Sequence, residues 1–229
     1  MMLKCFESGE FQANCYIMTL GDGQECIIID PGMDSCETAI AVIDGSELTP
    51  VGILATHGHV DHIAEAAPLA THYSVPVWIH PDDEPLLFSP EKGLWDGASA
   101  WLSMMLPQGL PIPPQIEYVS DGQKLTMAGM EINVIHAPGH TRGSVIYTVA
   151  DNKGKFAFTG DVLFAGSIGR TDMQDGDMEA MLESLRGPVL AFPDQMAIFP
   201  GHGPESTMVK ERATNPYLQP RFLNRSDLG

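Results

Sequence analysis

Short apolar runs recur along the chain between clusters of Gly, Pro and Asp. That rhythm predicts many short strands rather than a few long helices. Residues 16–20 and 26–30 read as two strands joined by the Gly21-Asp22-Gly23 turn. Asp34 is placed to cap a helix over 35–45, with Glu37 at the third helical position. Residues 51–55 form a strand that runs straight into T-H-G-H-V-D-H. The pattern over 63–73 is helical, with Pro68 either in the first turn or at a kink. A buried strand follows at 75–79. Later, 124–127 and 130–135 form a hairpin around Ala128-Gly129, and 143–149 and 156–159 add two strands. Asp177 is expected to cap a helix that runs to residue 186 and stops at Gly187-Pro188. A last strand covers 197–199, and a helix covers 206–214.

Residues 82–114 break the rhythm. They are rich in Pro, contain two Trp and an adjacent Met pair, and read as an irregular insertion with a helical piece near 99–106. Trp95, Trp101, Met104 and Met105 are expected first to pack this insertion onto the core, and second to wall a pocket. The two halves of the chain share one plan, strands first and then a helix. This predicts an α/β fold of four layers, αββα, with two mixed sheets face to face and helices outside, as a single domain over 1–229.

Composition fits that picture, with 44% hydrophobic and 18% charged residues in 229. The formal charge of −18 argues against nucleic acid or an anionic membrane as a partner, because both need a basic face. Bound cations would offset part of the Asp count. Cys5, Cys15, Cys26 and Cys36 form no C-x-x-C pair and read as buried, reduced thiols. The first residues lack the apolar core of a signal peptide, and no apolar stretch is long enough to cross a membrane. The expectation is a cytoplasmic protein.

The chemistry concentrates in His57-Gly58-His59-Val60-Asp61-His62. Side chains alternate in extended backbone, so His57 and His59 face one way. A turn into the following helix swings Asp61 and His62 towards a second point. One metal ion cannot easily take four ligands from so short a loop, whereas two ions can share them. His140, Asp161 and His202 each follow an apolar strand and a Gly, which lets backbone approach a crowded site. Five imidazoles and two carboxylates suit Zn first, with Fe or Mn as alternatives. Three His and one Asp beside a buried strand would be costly to desolvate without a cation. His136 reads as structural, His72 as solvated and His80 as a turn residue.

These residues bring a family into view. The chain resembles the metallo-β-lactamase-fold hydrolases, and within them the short bacterial, glyoxalase II-like (hydroxyacylglutathione hydrolase-like) thioesterases. The likeness rests on Asp30-Pro31-Gly32, T-H-G-H-V-D-H at 56–62, H-A-P-G-H-T at 136–141, T-G-D-V-L-F at 159–164 and P-G-H-G-P at 200–204. It implies that His57, His59 and His140 hold one ion, that Asp61, His62 and His202 hold the other, and that Asp161 bridges them. Asp61 and Asp161 would thereby be catalytic. The resemblance gives Asp30 a supporting place behind the ligands, where sequence alone equally allows a plain turn Asp. It makes Arg170, in G-R-T-D at 169–172, the candidate contact for a substrate carboxylate; the alternative is a loop Arg paired with Asp172 or Asp175.

Two departures stand out. The tail after His202 is too short for the C-terminal helical domain that helps classical glyoxalase II bind glutathione. Gly203-Pro204 replaces the Glu-Tyr that follows the last His in those enzymes. Lys210 and Arg212 read as a solvated helix face. The leading expectation is hydrolysis of a small-molecule thioester. The alternatives are a persulfide dioxygenase-like enzyme, with one iron on His57, His140 and Asp161, and a non-catalytic metal-binding or interaction protein. RNA-processing relatives are disfavoured by the charge and by the missing extra domain. The acyl group, the thiol and the oligomeric state stay open.

Overall fold

A computed structural model describes residues 1–224. Strands β1 (Met2–Ser8), β2 (Ala13–Thr19), β3 (Glu25–Ile29), β4 (Thr49–Leu54), β5 (Val77–Ile79) and β6 (Ile116–Tyr118) lie side by side in that order in one sheet. Strands β7 (Lys124–Met127), β8 (Met130–His136), β9 (Val145–Asp151), β10 (Gly154–Gly160), β11 (Met196–Pro200) and β12 (Ser206–Thr207) form the second. Both sheets are mixed. β3 to β6 run parallel after an antiparallel start, and β10 pairs parallel with β11 in an otherwise antiparallel sheet.

Period-two alternation sorts the side chains into layers. In β2, Tyr16 and Met18 face the second sheet, while Cys15 and Ile17 face outwards to helices. In β3, Ile27 and Ile29 point inwards, and Cys26 and Ile28 point out. Both faces of β2 are covered, so all seven of its residues are buried. The central layer joins Leu54 with Ile132, Val134, Tyr147 and Phe158. Helices α1 (Cys36–Gly45), α2 (Val60–Ile63) and α3 (Ala66–Tyr73) belong to the first half, and Ala39, Ile43, Leu69 and Ala70 cover the outer face of its sheet. On the other side Met181 and Leu182 pack on Ile146, Ala157 and Ile198. The result is the expected α/β sandwich.

Local differences from the sequence reading have physical reasons. Ser35, not Asp34, occupies the cap position of α1, because Asp34 sits in a left-handed conformation at φ 60°. The helix expected over 63–73 is split into α2 and α3 at Ala64-Glu65, which leaves Pro68 in the first turn of α3, where no N–H is needed. Residues 82–114 are more regular than expected: α4 (Glu84–Phe88) and a 3₁₀ turn at Pro90–Gly93 precede α5 (Ser99–Met105). Trp101 and Met105 pack this segment against Met33, Val60 and Ala64, whereas Met104 is exposed. Asp177 caps α6 (Met178–Ser184) by accepting from the backbone N–H groups of Glu179 and Ala180. Gly187-Pro188 does not end the helical path; Leu185–Val189 continues as one wider π turn. The segment at 206–214 starts as the short β12 before α7 (Met208–Thr214). Edge strands β1 and β6 went unread because their residues are only partly buried.

The four thiols are unpaired; Cys15 and Cys26 are buried as expected, but Cys5 is exposed. Among the described residues, no helix is long and apolar enough to cross a membrane.

Candidate metal centre

Strand direction brings the chemical residues together. β3 and β4 are parallel, so Asp30 and the 57–62 loop leave their sheet at one end. β8 and β10 both run antiparallel to β9, and β11 is parallel to β10. His140, Asp161 and His202 therefore leave the second sheet at one end too.

The side chains converge there. Donor atoms of His57, His59 and His140 lie within 4.8 Å of one another, as do those of Asp61, His62 and His202. Asp161 reaches both groups: its Oδ1 is 3.4 Å from His62 Nε2, and its Oδ2 is 3.4 Å from His140 Nε2 and 3.5 Å from His202 Nε2. Asp61 Oδ2 is 3.3 Å from His202 Nε2 and 3.6 Å from His62 Nε2.

Partners outside the centre fix where the ring protons sit. Nδ1 of His140 faces the Arg170 carbonyl at 2.8 Å, and Nδ1 of His202 faces the Phe11 carbonyl at 3.0 Å. Nδ1 of His62 faces the Asp30 carboxylate at 3.1 Å. Thr56 Oγ1 donates to Asp30 and so accepts from His57 Nδ1. These partners assign the proton of each ring to Nδ1 and turn the Nε2 lone pair inwards. Nε2 of His57, His59 and His140 and Oδ1 of Asp161 are buried with no hydrogen-bond partner. His62 Nε2 and His202 Nε2 face each other at 3.2 Å. Acceptors aimed at acceptors in a buried space cost free energy unless a cation sits among them, so the donor set fits divalent metal ions.

The ionisation tendencies agree for His57, His59 and His140, while His62, without a cation, draws a second proton in its place. Burial, helped by the neighbouring imidazoles, pushes His57 well down, His59 to about 3 and His140 to about 4. Burial also opposes charge on His62, but Asp161, Asp61 and Asp30 outweigh it and raise that ring to about 10. Burial raises the Asp161 carboxyl against the pull of His62 and His202.

The sequence pattern of the metallo-beta-lactamase superfamily matches residues 8–202. The chain belongs to that superfamily. It is 35% identical to the hydroxyacylglutathione hydrolase GloC of Haemophilus influenzae, over 91% of this chain and 93% of that protein. Among solved structures, BLEG-1 B3 metallo-beta-lactamase superposes with a TM-score of 0.80 at 32% identity, covering 95% of this chain and all of the other. TTHA1623 in a di-iron-bound form gives 0.77 at 36% identity, over 94% and 100% of the two chains.

Within this metallo-beta-lactamase frame, Asp30 does more than turn the chain. It holds a left-handed φ of 51° and accepts from the Thr56 backbone N–H at 2.7 Å, the Thr56 hydroxyl at 2.6 Å and His62. Sequence reading missed Asp83. Its buried carboxylate accepts from the Gly58 N–H at 2.7 Å, the Gly143 N–H at 2.6 Å and the Thr141 hydroxyl at 2.7 Å. It ties the loop of His57 and His59 to the loop of His140. Burial raises this carboxyl to about 6, against the three donors. The only signal in the sequence is an Asp pair directly after a strand, which looks solvated; Asp82 is exposed and Asp83 is not. Asp83→Ala leaves buried donors without a partner and is expected to cost about 3 kcal/mol. Urea unfolding of the metal-loaded protein measures this; a loss below about 1 kcal/mol would show that Asp83 does not brace the loops.

Arg170 lines the pocket over the centre, yet its guanidinium grips Asp172 through two bonds of 2.7 and 3.0 Å. Asp175 pairs instead with Arg142. Of the other histidines, His72 is exposed as expected. His80 is buried and stacks on His136 at 4.1 Å with planes 6° apart. With Asp82 they make a separate group, but parallel rings point their lone pairs side by side rather than at a common point. His136 Nε2 donates to the Arg142 carbonyl, a structural role. Arg212 bonds the Leu190 and Phe192 carbonyls as well as Asp194, so it fastens α7 rather than facing free solvent.

Proposed function

We propose that this chain is a two-metal, glyoxalase II-like thioesterase that cleaves small S-acyl thiols, hydroxyacylglutathione-like esters among them. The observation that carries the reading is the set of inward-facing, unpartnered Nε2 and carboxylate atoms around one point. His57, His59 and His140 would hold one ion, Asp61, His62 and His202 the other, and Asp161 both, with Zn preferred over Fe or Mn. When bound, such a pair polarises a carbonyl and lowers the pKa of water enough to supply a nucleophile near neutral pH. Asp61 and Asp161 supply the negative charge that keeps the buried centre balanced. The anchored Nδ1–H groups hold His57, His62, His140 and His202 each to one orientation before substrate arrives.

The leaving group follows from what else lines the pocket. Besides cluster members, the described lining consists of Phe11, Leu94, Trp95, Phe164, Gly169, Arg170 and Met173. None of these gives up a proton near pH 7. The leaving group must depart as an anion, which a thiolate of pKa about 8.5 does readily and an amine does not. The hydroxyacylglutathione hydrolase relative supports the same substrate class. Four unpaired thiols support a reducing, cytoplasmic setting.

Thiol release from S-lactoylglutathione and simpler thioesters by metal-loaded protein tests this, together with metal counted per chain. The expected result is turnover that requires about two ions per chain and stops on chelation. One iron per chain, with oxygen consumed on glutathione persulfide and no thioester cleaved, would replace this reading with a one-iron oxygenase.

A further inference from the structure

The pocket above the metal centre has a one-sided chemistry. Phe11 and Trp95 both line it and both remain 38% exposed, a conspicuous area of aromatic surface to leave in water. They form one wall. Trp101 stands behind them, its ring 5.3 Å from Phe11 and 5.4 Å from Trp95. Trp101 is itself packed on the Met33, Val60 and Ala64 cluster, so the wall is braced by the core. Phe11 is also tied to the centre, because its carbonyl accepts from His202 Nδ1. Phe164 also lines the pocket, its ring edge-on to His202 at 5.9 Å. Leu94 and Met173 complete an apolar lining around about 270 Å³ of space.

Charge is scarce at this mouth. Arg170 is the one Lys or Arg among the described lining residues, and Asp172 holds its guanidinium through Nε and Nη2. The chain's own formal charge is −18, which leaves the metal-ion pair itself as the pocket's main attraction for an anion. Asp172 occupies the Nε–Nη2 edge, so a substrate carboxylate that takes Arg170 by that fork must displace it. An uncharged apolar group needs only to cover Phe11 and Trp95.

We propose that this pocket selects neutral thioesters with an aromatic or branched apolar group next to the scissile bond, seated against the Phe11–Trp95 wall, and that Asp172 is a specificity residue that withholds Arg170 from substrate carboxylates. The turnover arm of the test rests on the thioesterase reading; the binding arm does not.

In the turnover arm, metal-loaded protein is given S-acetyl-N-acetylcysteamine, its phenylacetyl counterpart, benzyl thioacetate and S-lactoylglutathione. At least one benzyl-bearing ester is expected to exceed the plain acetyl ester about tenfold in kcat/KM, mostly through KM. Trp95→Ala should bring it down to the acetyl level. Asp172→Asn should raise the ratio of S-lactoylglutathione to the neutral esters about threefold. Two results overturn the proposal: wild type preferring S-lactoylglutathione to every neutral ester, or Trp95→Ala lowering all four alike. In the binding arm, N-benzylacetamide and S-methylglutathione are titrated against tryptophan emission of the metal-loaded protein. Tighter binding of N-benzylacetamide, weakened in Phe11→Ala, supports the pocket assignment even if no thioester is cleaved. Tighter binding of S-methylglutathione overturns it.

Discussion

Replacing Asp161 with Asn is expected to lower turnover of any substrate by roughly four orders of magnitude, with the fold intact. Among the described residues, Asp161 is the one carboxylate within 3.5 Å of ring nitrogens from both ligand groups. Its Oδ1 is buried and lacks a hydrogen-bond partner, with only the His62 ring facing it at 3.4 Å. The amide keeps the shape and removes the charge. It also turns N–H donors towards imidazole lone pairs that otherwise have none. Without metal the variant should stay within about 2 kcal/mol of wild type, because relief of a desolvated carboxylate offsets its lost attraction for the His62 ring. With metal the wild type should gain far more, since ligand binding stabilises only a site that can hold the ion. Three measurements read this together: kcat, ions per chain, and melting temperature with and without metal. An Asn variant that holds two ions and turns over within about tenfold of wild type would remove Asp161 from the centre of the mechanism.

Much of this architecture was legible in the sequence because burial on both faces leaves a strong mark. The apolar run of β2 and the turn after it read directly as strand and hairpin, and the His-x-His-x-Asp-His loop sits where a buried strand ends. Position among the layers could be read because alternate residues of β2 and β3 belong to different cores. Less visible were features decided by tertiary contact. Asp83 carries the same local signal as its exposed neighbour Asp82, and only its bonds to the distant Gly58 and Gly143 N–H groups make it a brace. Asn14 is similar. It holds the Pro200 and Gly203 carbonyls, each at 2.9 Å, around the His202 turn from the far end of the chain. Ser35 took the cap position because Asp34 was needed in a left-handed turn, a backbone demand that composition does not show. Trp95 and Trp101 share one short segment yet divide the work, one facing the pocket and one bracing it.

The expectation for Gly201→Ala is loss of the centre without loss of the fold. An added Cβ would lie 2.1 Å from Asp161 Oδ1 and 2.7 Å from His62 Cε1. The backbone cannot retreat easily. The Gly201 N–H donates to the Gly160 carbonyl at 2.8 Å, and its own carbonyl accepts from the Asn14 N–H at 2.7 Å. The two side chains must give way instead, by about an ångström or more for ordinary contact. A misplacement of about 1 Å at a catalytic group can cost a hundredfold in rate, and here two groups move at once. Turnover should fall at least about a hundredfold, and the ion shared by Asp61, His62 and His202 should be lost first. The cost to folding is that of modest overpacking, about 1–3 kcal/mol by urea unfolding. Gly45→Ala is the matched control, because a Cβ there meets nothing within 4 Å. Retention of two ions and full activity in Gly201→Ala would mean that Asp161 and His62 do not need the positions they hold here. The two-ion arrangement would then lose its geometric basis, since those two side chains join the ligand groups to each other and to Asp30.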